Sequence, residues 1–213
     1  MKTITKITVQ QSGERYNLFL DEEFFCGVSE DTLIKLNLKK GMQLDEATLE
    51  ILAEEENKNK CFSYAVYLLG GRNYFEKALR DKLRQKEYTE EAIDFTVEKL
   101  KKYKYIDDEK LTAAFISDKK RFSKKGPRYI AQALKMKGVD GETIKTALEE
   151  GYDNEEAYEN CRALAIKKYD YYKRKSEDKY TFKGKMYGFL AQRGFNSEII
   201  RKVLEGLMEE EIE

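Results

Sequence analysis

The chain has 213 residues, 38% of them charged, with 40 basic and 40 acidic side chains and no histidine at all. The missing histidine removes the commonest general base, triad partner and metal ligand, and no apolar run approaches the roughly 20 residues of a membrane span. Cys26, Cys61 and Cys161 are far apart in mostly apolar surroundings, as reduced core thiols of a cytoplasmic protein are, with neither zinc spacing nor a disulfide framework.

The opening Lys-Thr-Ile-Thr-Lys is no signal peptide. The first 57 residues read as a small β-rich cap. Ile4, Ile7 and Val9, then Tyr16, Leu18 and Leu20, form extended runs around Ser12-Gly13, the second alternating cleanly. A third run, Phe24 to Val28, follows the turn-forming Asp21-Glu22. A short helix from Ser29 to Leu36 and a longer one from Asp45 complete the segment. The cap carries 6 basic and 12 acidic residues, against 34 and 28 from Lys58 to the end.

Beyond the cap one pattern occurs three times. Leu83-x-x-Lys86-x-Tyr88-Thr89 precedes Ile93 and Val97; Leu134-x-x-Lys137-Gly138-Val139-Asp140 precedes Ile144 and Leu148; Leu190-x-x-Arg193-Gly194-Phe195-Asn196 precedes Ile200 and Leu204. The copies lie 51 and then 56 residues apart, and such periodicity marks a supersecondary unit that cannot bury its apolar face alone. Phe75, Leu79 and Leu83, Ile130 and Leu134, and Met186 and Leu190 recur at four-residue spacing, the buried stripe of a helix. The cation three residues on suits the last turn, and Gly138 and Gly194 suit the left-handed residue that ends a helix. Thr89, Asp140 and Asn196 are N-caps for the helix that follows. Glu87 replaces the glycine in the first copy, so a looser or differently built turn is expected there.

A third helix precedes each pair. The first spans Cys61 to Leu69, with Phe62, Ala65, Val66 and Leu69 inward, and Gly70-Gly71 ends it. The second spans Asp108 to about Phe122, with Leu111, Ala114 and Phe115 inward. The third spans Asn154 to about Lys175 and carries Ala157, Cys161, Leu164, Ala165 and Tyr169. The only proline, Pro127, fits the first turn of a helix. The chain thus reads as mainly α, with three tandem three-helix repeats (58–106, 107–151 and 152–213) forming an elongated array behind the cap of residues 1–57.

Catalysis finds little support. Neither a Walker loop nor a dinucleotide fingerprint is present, so no cofactor is expected. Asp107-Asp108-Glu109 reads as the acidic start of a helix rather than a cation site. Charge is more informative: Lys58 to Lys137 holds 21 basic and 11 acidic residues. Lys82, Arg84 and Lys86 lie on the first repeat. Lys119, Lys120, Arg121, Lys124, Lys125 and Arg128 crowd the link around Gly126-Pro127. Lys167, Lys168, Lys173 and Arg174 begin a further cluster, continued by Lys175, Lys179, Lys183 and Lys185 and interleaved with Tyr169, Tyr171, Tyr172 and Tyr180. Cations with interleaved aromatics can follow a phosphate backbone and stack on bases; the alternative is a solvated face whose lysine stems cover apolar surface. Their place on a repeat array, opposite an acidic cap and an acidic end (Glu205, Glu209, Glu210, Glu211, Glu213), favours a polyanion or an acidic groove.

These stretches, taken together, resemble the RecX regulatory proteins over nearly the whole chain. Lys125-Gly126-Pro127-x-x-Ile130-x-x-x-Leu134-x-x-Lys137-Gly138-Val139 is similar to the family's central motif, and Tyr105-Ile106-Asp107-Asp108-Glu109 to the approach to it. Arg193-Gly194-Phe195, followed by Ile200, resembles the C-terminal motif. The β-rich opening with Lys40-Gly41-Met42 is similar to members from low-GC Gram-positive bacteria. Glu87, and the region of Asn73-Tyr74-Phe75 and Ala78, depart from the pattern. The resemblance implies a non-enzymatic modulator, mainly an inhibitor, of the RecA recombinase. It would lie as a monomer along the RecA filament on single-stranded DNA and oppose ATP hydrolysis, strand exchange and coprotease activity. The thirteen cations from Lys82 to Arg174 named for the three clusters would then meet RecA or, weakly, DNA itself. The competing reading is a helical repeat protein that binds DNA or RNA directly; a helical adaptor for another partner is a third.

Overall fold

A computed structural model describes residues 1–11, 13 and 15–209. Ser12 of the expected Ser12-Gly13 turn, and Glu210, Glu211 and Glu213 of the acidic end, lie outside the described residues. The chain divides into two units, Met1–Tyr74 with Leu79–Ile106, and Phe75–Ala78 with Asp107–Glu213.

In the first unit, the three expected extended runs are strands, β1 (Lys2–Val9), β2 (Arg15–Leu20) and β3 (Glu23–Ser29), and they pair as an antiparallel meander. A two-residue strand, β4 (Gln43–Leu44), adds to the other side of β1, giving the order β3-β2-β1-β4. Two residues carry no readable period, so β4 is absent from the sequence pattern. The alternating residues Leu18 and Leu20 point inward with Ile4, Val28 and Leu44. They pack on Leu52 of α2 (Glu46–Gly71). Ser29 caps α1 (Glu30–Lys35) by accepting from the Thr32 amide, and Asp45 caps α2 through the Thr48 amide.

The helix expected from Asp45 and the one expected from Cys61 are one element, α2, of 26 residues and about 39 Å at 1.5 Å per residue. Its Glu56 is only 3% exposed. A buried carboxylate is costly unless every lone pair finds a donor, and here Arg15 (2.5 Å), the Ser29 amide (2.9 Å) and the Thr32 hydroxyl (2.8 Å) all donate to it. One side chain of α2 therefore fixes β2, the end of β3 and α1. Farther along, Cys61 and Ala65 of α2 bury against Leu79 and Leu83 of α3 (Glu76–Arg84) and Ile93, Val97 and Leu100 of α4 (Glu90–Lys102). Val66, expected inward, is 39% exposed, because the i, i+4 pair Cys61 and Ala65 sets the phase of the buried stripe.

The second unit holds α5 (Asp108–Phe122), α6 (Pro127–Met136), α7 (Gly141–Gly151), α8 (Asn154–Arg174), α9 (Lys179–Gln192) and α10 (Ser197–Glu209) around one continuous core. Ile130, Leu134, Ile144, Ala157, Cys161, Met186, Leu190, Phe195 and Ile200 meet there, with Phe75 from the lead into α3. On α5 the inward residues are Thr112 and Ile116, flanked by Leu111 and Phe115; Ala114, expected inward, is exposed. The expected apolar stripe is thus displaced by about one position, since a threonine at the centre of the face hides it from an apolar count. Asp140 caps α7 and Asn196 caps α10 through amides two or three residues ahead. Among the described residues no helix is long and apolar enough to cross a membrane. Burial raises the Cys161 thiol to about 12, so it stays protonated across the physiological range.

The three turns have one geometry. Glu87, Gly138 and Gly194 take φ of 61°, 90° and 95°. The next amide in each case bonds back to the last buried leucine: Tyr88 to Leu83 (3.4 Å), Val139 to Leu134 (3.2 Å) and Phe195 to Leu190 (3.4 Å). The looser turn expected at Glu87 is therefore not formed; the glutamate adopts the left-handed conformation itself. Glycine at the other two positions answers a second demand. A Cβ on Gly138 would lie 2.7 Å from Lys77 Cβ, and one on Gly194 would collide with the Tyr129 backbone nitrogen. Glu87 is exposed and carries only the torsional strain. Replacing it, Glu87→Gly, relieves that strain and removes an anion from a helix C-terminus, which outweighs glycine's unfolded-state entropy; a gain of about 0.5 kcal/mol is expected in urea titration. The Gly194→Ala substitution meets both torsion and backbone and should cost roughly 3 kcal/mol in the same measurement.

Candidate functional site

The link between α5 and α6 carries the densest basic cluster, and the structure divides it by direction. Lys120 turns inward: its Nζ lies 2.6 Å from Glu156 Oε2 of α8 and 5.7 Å from the Tyr152 ring centroid. Lys124 Nζ donates to Asn160 Oδ1 (3.1 Å), while Asn160 Nδ2 donates to the Lys120 carbonyl and the Tyr152 hydroxyl. Asn160 is nearly buried, and with these partners all its polar atoms are engaged. Lys120 and Lys124 thus bolt α5 and the link that follows it to α8. Burial, moderated by the Asn160 hydrogen bond, pushes the Tyr152 hydroxyl up to about 12.

Of the other members, Arg121 and Arg128 are exposed, whereas Lys119 and Lys125 are half-buried against aromatic rings. Arg121 lies beside Phe122, itself 74% exposed. Lys119 Nζ sits 5.2 Å from the Phe115 centroid, and Lys125 Nζ is 3.9 Å from that of Tyr129. Two cations outside the expected cluster join them. Lys137, just past α6, lies 5.4 Å from the same Phe115 ring and 5.3 Å from Phe75. Arg193, just past α9, is brought in by backbone contact, because the Gly126 amide donates to its carbonyl (2.9 Å) and the Arg128 amide to that of Gly194 (3.0 Å). The signal that could have found Lys137 and Arg193 is in the repeat itself, where each cation immediately precedes a glycine of the turn.

The cluster on α8 and α9 is also divided. Tyr169 packs edge-on against Phe182 at 5.0 Å, and Tyr172 tilts against Phe189 at 5.6 Å, both half-buried against the core of the unit. Of the four tyrosines expected to stack on bases, only Tyr171 and Tyr180 are largely exposed, and Tyr171 is engaged by Lys175 Nζ at 2.9 Å. Lys167 and Arg174 are exposed, Lys168 lies over Tyr171 and Lys173 over Tyr169. In the first unit, Arg84 is tied by Glu90 (2.7 Å) and Asp81 (3.3 Å), Lys82 donates to Gln85, and Lys86 lies over Tyr64. Asp107 and Asp108 act as caps: Asp107 accepts from the Lys110 amide, and Asp108 from the Glu76 amide that opens α3.

Tandem three-helix units behind a small antiparallel sheet define a helical repeat protein. Four domain families match it in order: the regulatory protein RecX N-terminal domain over residues 2–45, and the first, second and third RecX three-helix domains over 61–100, 107–148 and 154–204. The chain belongs to the RecX regulatory protein family. It is 37% identical over 209 residues to the regulatory protein RecX of Clostridium beijerinckii, covering 98% of this chain and 97% of that one. It is also 37% identical to that of Leuconostoc mesenteroides, covering 99% of this chain and 78% of the relative. A crystal structure of a regulatory protein RecX superposes with a TM-score of 0.83 at 27% identity, over 96% of this chain and all of that one.

The division of the basic link is directly measurable. The double substitution Lys120→Ala with Lys124→Ala removes the partners of Glu156 and Asn160 and should lower stability by about 2 kcal/mol in urea titration. Arg121→Glu with Arg128→Glu should shift it by less than about 0.5 kcal/mol.

Proposed function

We propose that this chain regulates the RecA recombinase, chiefly by inhibition, through binding along the RecA filament on single-stranded DNA. It suppresses the filament's ATP hydrolysis, strand exchange and coprotease activity as a cytoplasmic monomer, by binding rather than by catalysis and without a cofactor. The observation that carries this reading is the ordered run of four RecX domains along the chain, each with its own match. Repetition supports it physically, since weak contacts on successive units combine into avidity when the target repeats as well. The exposed cations Lys86 of the first unit, and Arg121, Arg128, Lys167 and Arg174 of the second, are the contacts we assign to the partner, each unit by itself, while Lys120 and Lys124 serve the fold.

The test is RecA's single-stranded-DNA-dependent ATP hydrolysis with this protein titrated in from well below the RecA concentration. Inhibition at substoichiometric amounts is expected, because a regulator of the filament acts on many protomers. An unchanged rate at equimolar protein overturns the reading.

A further inference from the structure

Lys125 is a half-buried lysine crowded by other cations. Its amide donates to the Lys119 carbonyl at 3.1 Å, and the neighbouring Gly126 amide donates to the Arg193 carbonyl at 2.9 Å. Backbone contacts thus hold together a cation of α5, one of the link and one that follows α9. Each lies against its own ring: Lys119 is 5.2 Å from the Phe115 centroid, Lys125 3.9 Å from that of Tyr129, and Arg193 5.1 Å from that of Phe189. Lys124, next in the chain, is turned to Asn160. Among the described residues no carboxylate pairs with Lys119, Lys125 or Arg193, whereas Lys120 has Glu156. Burial, then the charges of Arg193 and Lys119, hold the Lys125 ammonium below the ordinary lysine range. A larger share of this amine than of an exposed lysine is therefore unprotonated near neutral pH, and an unprotonated amine is a nucleophile. Its two companions stay charged and attract anions to the same place.

We propose that Lys125 is a site of Nε-acylation by acyl phosphates, with Lys119 and Arg193 drawing the phosphate end of the donor to the amine. An acyl phosphate joins an electrophilic carbonyl to an anion in one small molecule, which suits an amine that shares its place with two cations. The unprotonated Nζ attacks the acyl carbon and forms the new C–N bond. The bond from that carbon to the phosphate oxygen then breaks, inorganic phosphate leaves with the electron pair, and the proton shed by the nitrogen passes to water. The product is a neutral amide, so acylation also ends the repulsion that Lys125 exerts on Lys119 and Arg193. It removes a positive charge close in sequence to Arg121 and Arg128, two of the contacts assigned above. That consequence, a weaker hold on the partner, rests on the regulatory reading; the chemistry at Lys125 does not.

The experiment incubates the full chain with acetyl phosphate across a pH series, without RecA. The remaining amines are capped with deuterated acetic anhydride after unfolding, and mass spectrometry reads the acetylated share of each lysine. Near neutral pH, Lys125 should react roughly tenfold faster than Lys39 and Lys40, exposed lysines of the cap. Its rate should reach half-maximum at a lower pH than theirs, since burial and the two cations favour the free amine. In the variant Lys119→Gln with Arg193→Gln the excess should fall to about threefold or less, and the half-maximum should move to higher pH. Two measurements on the unaltered protein keep the test decisive if that variant misfolds by circular dichroism. High salt should shrink the excess, and p-nitrophenyl acetate, an uncharged donor, should show a smaller excess than acetyl phosphate. A Lys125 that reacts no faster than Lys39 and Lys40 overturns the site. So does an excess that neither salt, the uncharged donor nor the folded variant reduces. Because RecA is absent, failure here leaves the regulatory reading standing, and a protein that never inhibits RecA leaves acylation at Lys125 standing.

Discussion

The second unit depends on one close approach of backbone to backbone. The first turn of α6 is laid against the end of α9, so that amides opening α6 donate to carbonyls closing α9. Both sets of groups are orphans of helix ends, and each satisfies the other. The approach is closed to any side chain: a Cβ on Gly126 would overlap the Gly194 carbonyl, and one on Gly194 would overlap the Tyr129 backbone. At Gly138 a side chain makes the approach instead: Lys77 covers the glycine, and its Nζ donates to the Met136 carbonyl at 3.4 Å. Glycine in these turns is thus fixed twice, by left-handed torsion and by proximity, and Glu87 is tolerated where only the torsion applies.

The charge pattern follows from that packing. Lys125 and Arg193 each immediately precede a glycine of the contact, so the backbone approach that completes the core carries two cations to the same place. Lys137 precedes the equivalent glycine of its own turn. A motif that reads in sequence as a helix stop with a cation for the dipole therefore has a second consequence, the concentration of positive charge where the turns meet. Lys120 and Lys124 are spent on Glu156 and Asn160, and this separates their role from that of the neighbours between which they lie.

Much of the architecture was legible because it is local. Caps, turns and four-residue apolar spacing depend on residues a few positions apart, and the helices begin at Asp107, Asp140, Asp153 and Asn196 as their side chains dictate. Where the local signal was weak, the reading slipped. Thr112 took a core position that an apolar count assigns to Ala114, Val66 lay on the wrong side of its helix, and two residues of β4 left no trace.

The sequence by itself determined that this is a RecX-type chain of three helix-turn-helix units behind a β-rich cap, because repeated spacing specifies repeated local structure. Only the tertiary structure decided which cations serve the fold and which face outward. Lys120 and Glu156 are 36 residues apart, and the Gly126 amide next to Lys125 meets the Arg193 carbonyl across four intervening helices. A side chain's partner is set by the segments that packing brings beside it, and a pattern read along one helix carries no information about that neighbour.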